Sequence, residues 1–190
     1  DVAVRQRLRD AADLGNEDFL LLHAGRMDEA KNQRFLLDVF AAVQKKEPKA
    51  RLVLAGDGPL KELLMQKTTE KSLENSISFL GVVQNLNEWY MAADVFVFPS
   101  RHEGLGMVAV EAQISGLPVL CSTGVPRSVA LTRAVRFLPL EAGASAFADA
   151  VLELRALPRS SGYEAVKAAG YDIQVASREY QDWIDHNIGV

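Results

Sequence analysis

Short apolar runs alternate along the chain with longer segments of helical periodicity. Residues 19–24 (FLLLHA) form a nearly continuous apolar run, the pattern of a strand covered on both faces. A loop over 25–32 follows. The next segment places Phe35, Leu36, Val39, Phe40 and Val43 on one face of a helix, and Pro48 closes it. Residues 51–55 (RLVLA) read as a second strand ending in Gly56-Asp57-Gly58-Pro59, a strong turn signal. Helical periodicity returns over 60–71, with Leu60, Leu63 and Leu64 inward, and a third strand over 77–80 stops at Gly81. A short helix over 86–93 carries Trp89 and Tyr90, which read as core packing. Residues 95–98 (VFVF) are a fourth strand, ended by Pro99. The loop 100–104 leads into a helix over 105–115, with Gly116 as its C-cap candidate. Strands follow at 119–122 and 134–138, and the chain then turns helical over 144–157, 163–169 and 173–187.

This alternation predicts an α/β fold, a Rossmann-like, doubly wound parallel sheet of six strands with helices on both faces. Such sheets bind ligands in the crevice beyond the carboxyl ends of their strands. The loops 25–32, 56–59, 81–85, 100–106 and 122–127 are therefore the expected ligand loops, and the unusual polar residues lie in them. Residues 1–18 read as a helix or linker, 19–170 as the sheet domain and 171–190 as a C-terminal helix. The chain opens at Asp1 without a methionine, inside a polar helical stretch, as expected of a cut from a longer protein.

With 190 residues, 48% of them hydrophobic, the chain can build the core of one domain or one lobe. A net charge of −4 and the lack of a basic block argue against a nucleic-acid partner. Cys121 is the only cysteine, so no internal disulfide or cysteine-rich metal site is available. It lies in an apolar run and reads as a buried structural thiol in a cytoplasmic protein. No stretch of ~18 apolar residues could span a membrane.

The chemistry concentrates in three places. In Pro99-Ser100-Arg101-His102-Glu103-Gly104-Leu105-Gly106, two glycines bracket a leucine between a strand and a helix. Free amides at a helix start favour an anion, and glycine lets it approach the backbone. Glu103 and Glu111 are eight residues apart, on the order of 12 Å at ~1.5 Å rise per residue. They cannot act as a close dyad, but they can hold opposite ends of a long ligand. A carboxylate accepts both hydroxyls of a diol, which a nucleotide sugar offers at each end. The third place is the first loop, where Arg26 and Lys31 can neutralise a diphosphate, although Asp28 and Glu29 weaken the local field.

The set GRMDEAKN, LVLAGDGP, FLGVVQNL and MAADVFVFPSRHEGLGMVAVEAQISGLPVL resembles the donor-binding domain of the family 4 retaining glycosyltransferases, which have the two-lobed GT-B architecture. The likeness runs in order from Phe19 to Thr123. The end of the chain, including YEAVKAAGYD, is similar to the branch that builds bacterial exopolysaccharide or capsule. The resemblance implies that 19–170 is a nucleotide-sugar-binding, C-terminal GT-B lobe. It implies catalytic roles for Glu103, Arg26 and Lys31, with the cations on the donor diphosphate and Glu103 on the transferred sugar. Gly104, Leu105 and Gly106 would meet the sugar and phosphates, and Glu111 the ribose hydroxyls. Gln84, Asn85 and Leu86 would border the base, and Gly25, Gly56, Asp57 and Gly58 would lie by the same cleft. It further implies front-side attack with retention, no metal and no cofactor, and a nucleoside diphosphate sugar as donor, a UDP-sugar being favoured. The partner would be an amino-terminal, acceptor-binding lobe, packed on the last helix through Tyr180, Trp183 and Ile184. Any peripheral membrane contact would belong to that lobe.

Some positions depart from the family pattern. Its common Lys-Gly is Lys31-Asn32 here, where Asn32 is expected to cap the helix. Leu105 stands where Phe is frequent, and Gly124-Val125-Pro126-Arg127 replaces a more acidic stretch. His102 adjoins Glu103, but the family does not require histidine there, and His23 reads as a satisfied core residue. Three rival readings are a non-catalytic nucleotide-binding module, a two-lobed nucleotide-sugar epimerase and a dehydrogenase-type dinucleotide domain. The last needs a G-x-G-x-x-G turn that Gly25-Arg26-Met27-Asp28 does not supply.

Overall fold

The computed structural model describes residues 2–12, 14–15 and 17–188. Helix α1 (Val2–Ala11) precedes β1 (Phe19–Ala24), α2 (Gln33–Lys46), β2 (Ala50–Ala55), α3 (Lys61–Glu70) and β3 (Ile77–Gly81). Then come α4 (Leu86–Ala92), β4 (Val95–Phe98), α5 (Met107–Ile114), β5 (Val119–Ser122) and β6 (Val135–Leu138). The chain finishes with α6 (Gly143–Arg155), α7 (Tyr163–Ala168) and α8 (Ile173–Ile188). The six strands form one sheet in the order β3-β2-β1-β4-β5-β6, with every pairing parallel.

The apolar run of β1 is buried along its whole length because both faces of the sheet are covered. Its side chains divide by period two. Phe19 and Leu21 join Leu36, Val39, Phe40 and Val43 of α2 and Phe147, Val151 and Leu154 of α6 in one core. Leu20 and Leu22 join Trp89 and Tyr90 of α4 and Ala109, Val110 and Ala112 of α5 in the other. The order reverses after β3: the chain returns through α4 to pair β4 with the free edge of β1. Successive right-handed crossovers on the two sides of β1 send α2 and α5 to opposite faces.

Most of the predicted elements are present within a residue or two. One boundary that matters differs. The helix expected over 105–115 begins only at Met107, because Gly106 at its N-cap is left-handed (φ 69°) and cannot belong to it. Leu105 is left outside, 70% exposed. At the other end the amides of Gly116 and Leu117 bond to the carbonyls of Gln113 and Ala112 and close α5 as expected. Asn32 also departs from expectation. It precedes α2 in a left-handed conformation (φ 56°) and makes no capping bond. Its buried side chain donates instead to the carbonyl of Pro99.

Helix α1 docks on α4. Its Arg9 is 1% exposed and donates to the carbonyls of Ala92, Gly15 and Asp18, with Asp94 as counter-charge at 3.4 Å. Asp94 also holds Arg5 at 2.5 Å and accepts the amide of Leu20 at the start of β1. At the far end, α8 leaves Ile173, Tyr180 and Trp183 exposed, the two rings stacked 6.3 Å apart. None of the described helices is long and apolar enough to cross a membrane.

The Asp94 cluster ties α1 to the sheet. Asp94→Ala leaves Arg9 buried without its counter-charge and is expected to destabilise the fold by about 3–5 kcal/mol. Urea unfolding measures it; a loss below about 1 kcal/mol, the range of an exposed pair, would contradict this account.

Candidate functional site

At the carboxyl edge of the sheet, the loops after β1 and β4 flank the point where strand order reverses. Their helices leave to opposite faces, so the loops diverge and bound a crevice. Backbone contacts fix each loop. Gly25 and Met27 donate to the carbonyls of Ala55 and Asp57, and Leu60 donates back to Met27. This approach leaves no room for side chains on the second loop. A Cβ on Gly56 would lie 2.1 Å from the oxygen of Gly25, and one on Gly58 2.5 Å from that of Met27. Gly56 and Gly58 thus support the first loop. The Asp57 carboxylate is held within its own turn, by the amide of Gly58 and by Lys61, and these partners keep its pKa below the usual range, Lys61 foremost.

Beneath the first loop lies His23, fully buried on β1. The Gln33 amide nitrogen donates to the carbonyl of Arg26 and lies 3.2 Å from Nε2 of His23. That nitrogen can only donate, so Nε2 of His23 accepts and Nδ1 carries the proton, donated to the carbonyl of Val97 at 2.9 Å. Burial lowers the pKa of His23 to about 4, so the ring is neutral. It is a satisfied core histidine that links β1, β4 and the first loop.

The charged residues converge from both sides. Asp28 accepts the amide of Lys31, whose ammonium donates to both carboxylate oxygens of Glu103, at 2.6 and 2.8 Å. The same ammonium lies 5.1 Å above the ring of Phe98. Glu103 is held from behind, since its amide donates to the carbonyl of Gly124. A further backbone bond, from Arg101 to the carbonyl of Ala30, joins the loops after β1 and β4. Ser122 donates to the carbonyl of Ser100, while the buried Ser100 hydroxyl has no partner. A Cβ added at Gly104 meets nothing within 4 Å, so the backbone there is open to approach. Arg26 is largely exposed at the rim, 3.9 Å from Asp28.

The other predicted residues lie further out. Glu111 is half-buried on α5 and accepts a hydrogen bond from the Tyr90 hydroxyl at 3.0 Å. Gln84 and Asn85 are exposed after β3, at the sheet edge, where Asn85 bonds to Glu88. Leu86 packs against the second core. His102 is exposed. Cys121 is buried, and burial pushes its thiol up to about 12, which makes it inert. Sequence reasoning missed three supports: the Gln33 link, the polar role of Tyr90, and Gln113, whose buried amide holds the turn after β5 through Val129, Leu131 and Thr132. An amide among the apolar positions of α5 was the available signal for the last. Among the described residues, no three His, Cys, Asp or Glu side chains cluster as a metal site.

A six-stranded parallel sheet with a charged crevice at its switch point is the Rossmann-like lobe of the GT-B architecture. The UDP complex of Anabaena Alr3699/HepE matches it with a TM-score of 0.79 at 22% identity, over 98% of this chain and 53% of that one. The C-terminal domain of LpcC from Francisella tularensis, a glycosyl transferase group 1 family protein, matches with a TM-score of 0.73 at 23% identity, over 90% of this chain and 94% of that one. The family model for Glycosyl transferases group 1 covers residues 18–156, and the chain belongs to that family. EpsF of Bacillus subtilis (strain 168) is 34% identical over 168 residues, 86% of this chain and 44% of its own length. The chain thus spans less than half of that relative.

The buried histidine makes stability depend on pH. Between about 4 and 6.5 the unfolded chain takes up a proton at His23 that the folded chain refuses. Stability from this group is complete above 6.5 and falls as pH drops towards 4, by about 3 kcal/mol in all. Urea unfolding between pH 7 and pH 4.5 should show this slope, and His23→Gln should flatten it. An unchanged slope in the variant would assign the titration to other groups.

Proposed function

We propose that this chain is the donor-binding lobe of a retaining glycosyltransferase. It binds a nucleoside diphosphate sugar, by preference a UDP-sugar, and presents the sugar to an acceptor hydroxyl in extracellular or capsular polysaccharide synthesis in the cytoplasm. One observation carries the reading: the Lys31–Glu103 pair spans the crevice at the switch point, joining a phosphate-binding cation to a diol-binding carboxylate. Membership in the group 1 family and the UDP complex of HepE support it.

In this reading the diphosphate takes the ammonium of Lys31, and Arg26 closes on it from the rim. The sugar hydroxyls replace Lys31 on Glu103, and the Gly104 backbone lies against the sugar and phosphates. Glu111 accepts the ribose hydroxyls, and Gln84 to Leu86 border the base. As the bond from the anomeric carbon to the diphosphate breaks, the leaving group gains negative charge. The two cations stabilise that charge without a metal. The leaving phosphate accepts the proton of the acceptor hydroxyl, which attacks from the same face and retains the configuration. A second lobe supplies the acceptor site, and the exposed Tyr180 and Trp183 of α8 are the surface it covers.

Calorimetric titration with UDP, GDP and ADP tests the donor site. UDP is expected to bind saturably, and Arg26→Ala and Glu111→Ala are each expected to weaken it by about tenfold, the effect of one charge-assisted hydrogen bond. No binding of any nucleotide, or indifference to both substitutions, would overturn the reading. Transfer of a labelled sugar by this chain alone would refute the need for a second lobe.

Lys31 cannot serve both the diphosphate and Glu103. Free UDP must take the ammonium from a carboxylate that is 9% exposed and gains no sugar in exchange. Glu103→Gln is therefore expected to tighten UDP binding by about tenfold. The gain should vanish in a Lys31→Ala background. An equal gain in both backgrounds would mean that Glu103 acts by direct repulsion and not through Lys31.

A further inference from the structure

Tyr90 occupies a core position but carries more than a core residue needs. Its ring is 2% exposed and meets Phe96 edge-on, with centroids 5.7 Å apart. A phenylalanine would fill that space equally well. The added hydroxyl reaches out of α4 to α5 and donates to Oε2 of Glu111 at 3.0 Å. The residue is fixed from its other side as well, because its carbonyl accepts a hydrogen bond from Arg159 at 2.8 Å. A rigid, buried phenol thus holds a half-buried carboxylate that sits on a different helix.

A glutamate has three rotatable side-chain bonds and about four acceptor positions on its carboxylate. The Tyr90 bond uses one of these and fixes the rotation of the group. Oε1 and the remaining lone pair of Oε2 stay available, in one orientation, to the two O–H groups of a vicinal diol. Burial, and secondarily the Glu111 charge, push the phenol above its ordinary pKa, so it stays protonated and can only donate to the carboxylate.

We propose that Tyr90 is a positioning residue that orients Glu111 towards the ribose diol and so makes the lobe select ribonucleotides over 2′-deoxyribonucleotides. This rests on the donor-lobe reading and deepens it. Without the phenol, Glu111 rotates freely. Pre-organisation for two hydroxyls is lost, while a ligand with one hydroxyl, which never used it, binds as before.

The experiment is calorimetric titration of the wild-type chain and Tyr90→Phe with UDP and with 2′-deoxy-UDP. Wild type is expected to prefer UDP by about tenfold or more. Tyr90→Phe should reduce that preference to about twofold to threefold, with the affinity for 2′-deoxy-UDP unchanged. In a Glu111→Ala background, Tyr90→Phe should change neither affinity. An undiminished preference in Tyr90→Phe would overturn the proposal. So would equal weakening of both nucleotides, which is the mark of a purely structural residue. A wild-type chain that binds both nucleotides equally would reject the role of Tyr90 and leave the donor site standing. Binding of neither would reject both.

Discussion

The reversal of strand order beside β1 is the constraint on which the rest of this molecule depends. Because β2 and β4 pair with opposite edges of the same strand, the crossovers that follow leave to opposite faces. The loops after β1 and β4 therefore leave the strand ends in different directions, and the Arg101–Ala30 backbone bond and the Asn32 side chain on Pro99 join them at their base. Lys31 arrives from one loop and Glu103 from the other. Their 2.6 Å contact is a consequence of topology, for the two residues are 72 positions apart. The Asp94 cluster guards the same place from the opposite end of the sheet. Asp94 accepts the amide of Leu20 in β1 and the guanidinium groups of Arg5 and Arg9 in α1 together.

A crevice made by topology still needs walls of defined shape, and here backbone supplies them. The first loop lies so close to the second that Gly56 and Gly58 admit no side chain. Asn32 ties it to the end of β4, and the His23–Gln33 link ties it to the strands below. Each bond is modest alone, about 1 kcal/mol net, but each removes one way for the loop to move. Pre-organised charge is worth more than mobile charge when it must meet a developing anion, since little reorganisation remains at the moment of reaction. The exposed Arg26 side chain, at the rim, has no such anchoring among the described residues beyond its 3.9 Å approach to Asp28.

Much of this was legible in the sequence, for physical reasons. Six short runs of strand character, the first five separated by helical periods, leave few topologies open, and β1 and β4 could be bounded to the residue because continuous apolar runs end sharply at Gly25 and Pro99. Lys31 and Glu103 stood out as charges in loops at strand ends. Their pairing could not be read, because it depends on which strand lies next to which. The failures were backbone conformations. Asn32 was expected to cap α2 from its residue type, yet its left-handed backbone turns the side chain towards Pro99. The start of α5 was set two residues early because nothing in Leu105-Gly106 announces which residue takes positive φ. Tyr90 was read as core, correctly for its ring. Its hydroxyl found a use only through a residue 21 positions away.

The two glutamates illustrate how one helix start can divide labour. Both are acceptors of the same kind, and their environments separate them. Glu103 lies before the left-handed residue at the head of α5, in a loop held by Gly124, and its partner is the cation Lys31. Glu111 lies inside the helix, and its partner is a phenol anchored in the core, 2% exposed. A carboxylate paired with a cation is a switchable acceptor, silent until something else claims the cation. A carboxylate held by a phenol keeps its remaining lone pairs ready at all times. In the proposed reading, a ligand bearing a diol for Glu111 and an anion for Lys31 engages the fixed acceptor first and uncovers the second as its phosphates arrive. On the same reading, this arrangement favours ligands that carry a further hydroxyl group for Glu103 over those that end at the phosphate.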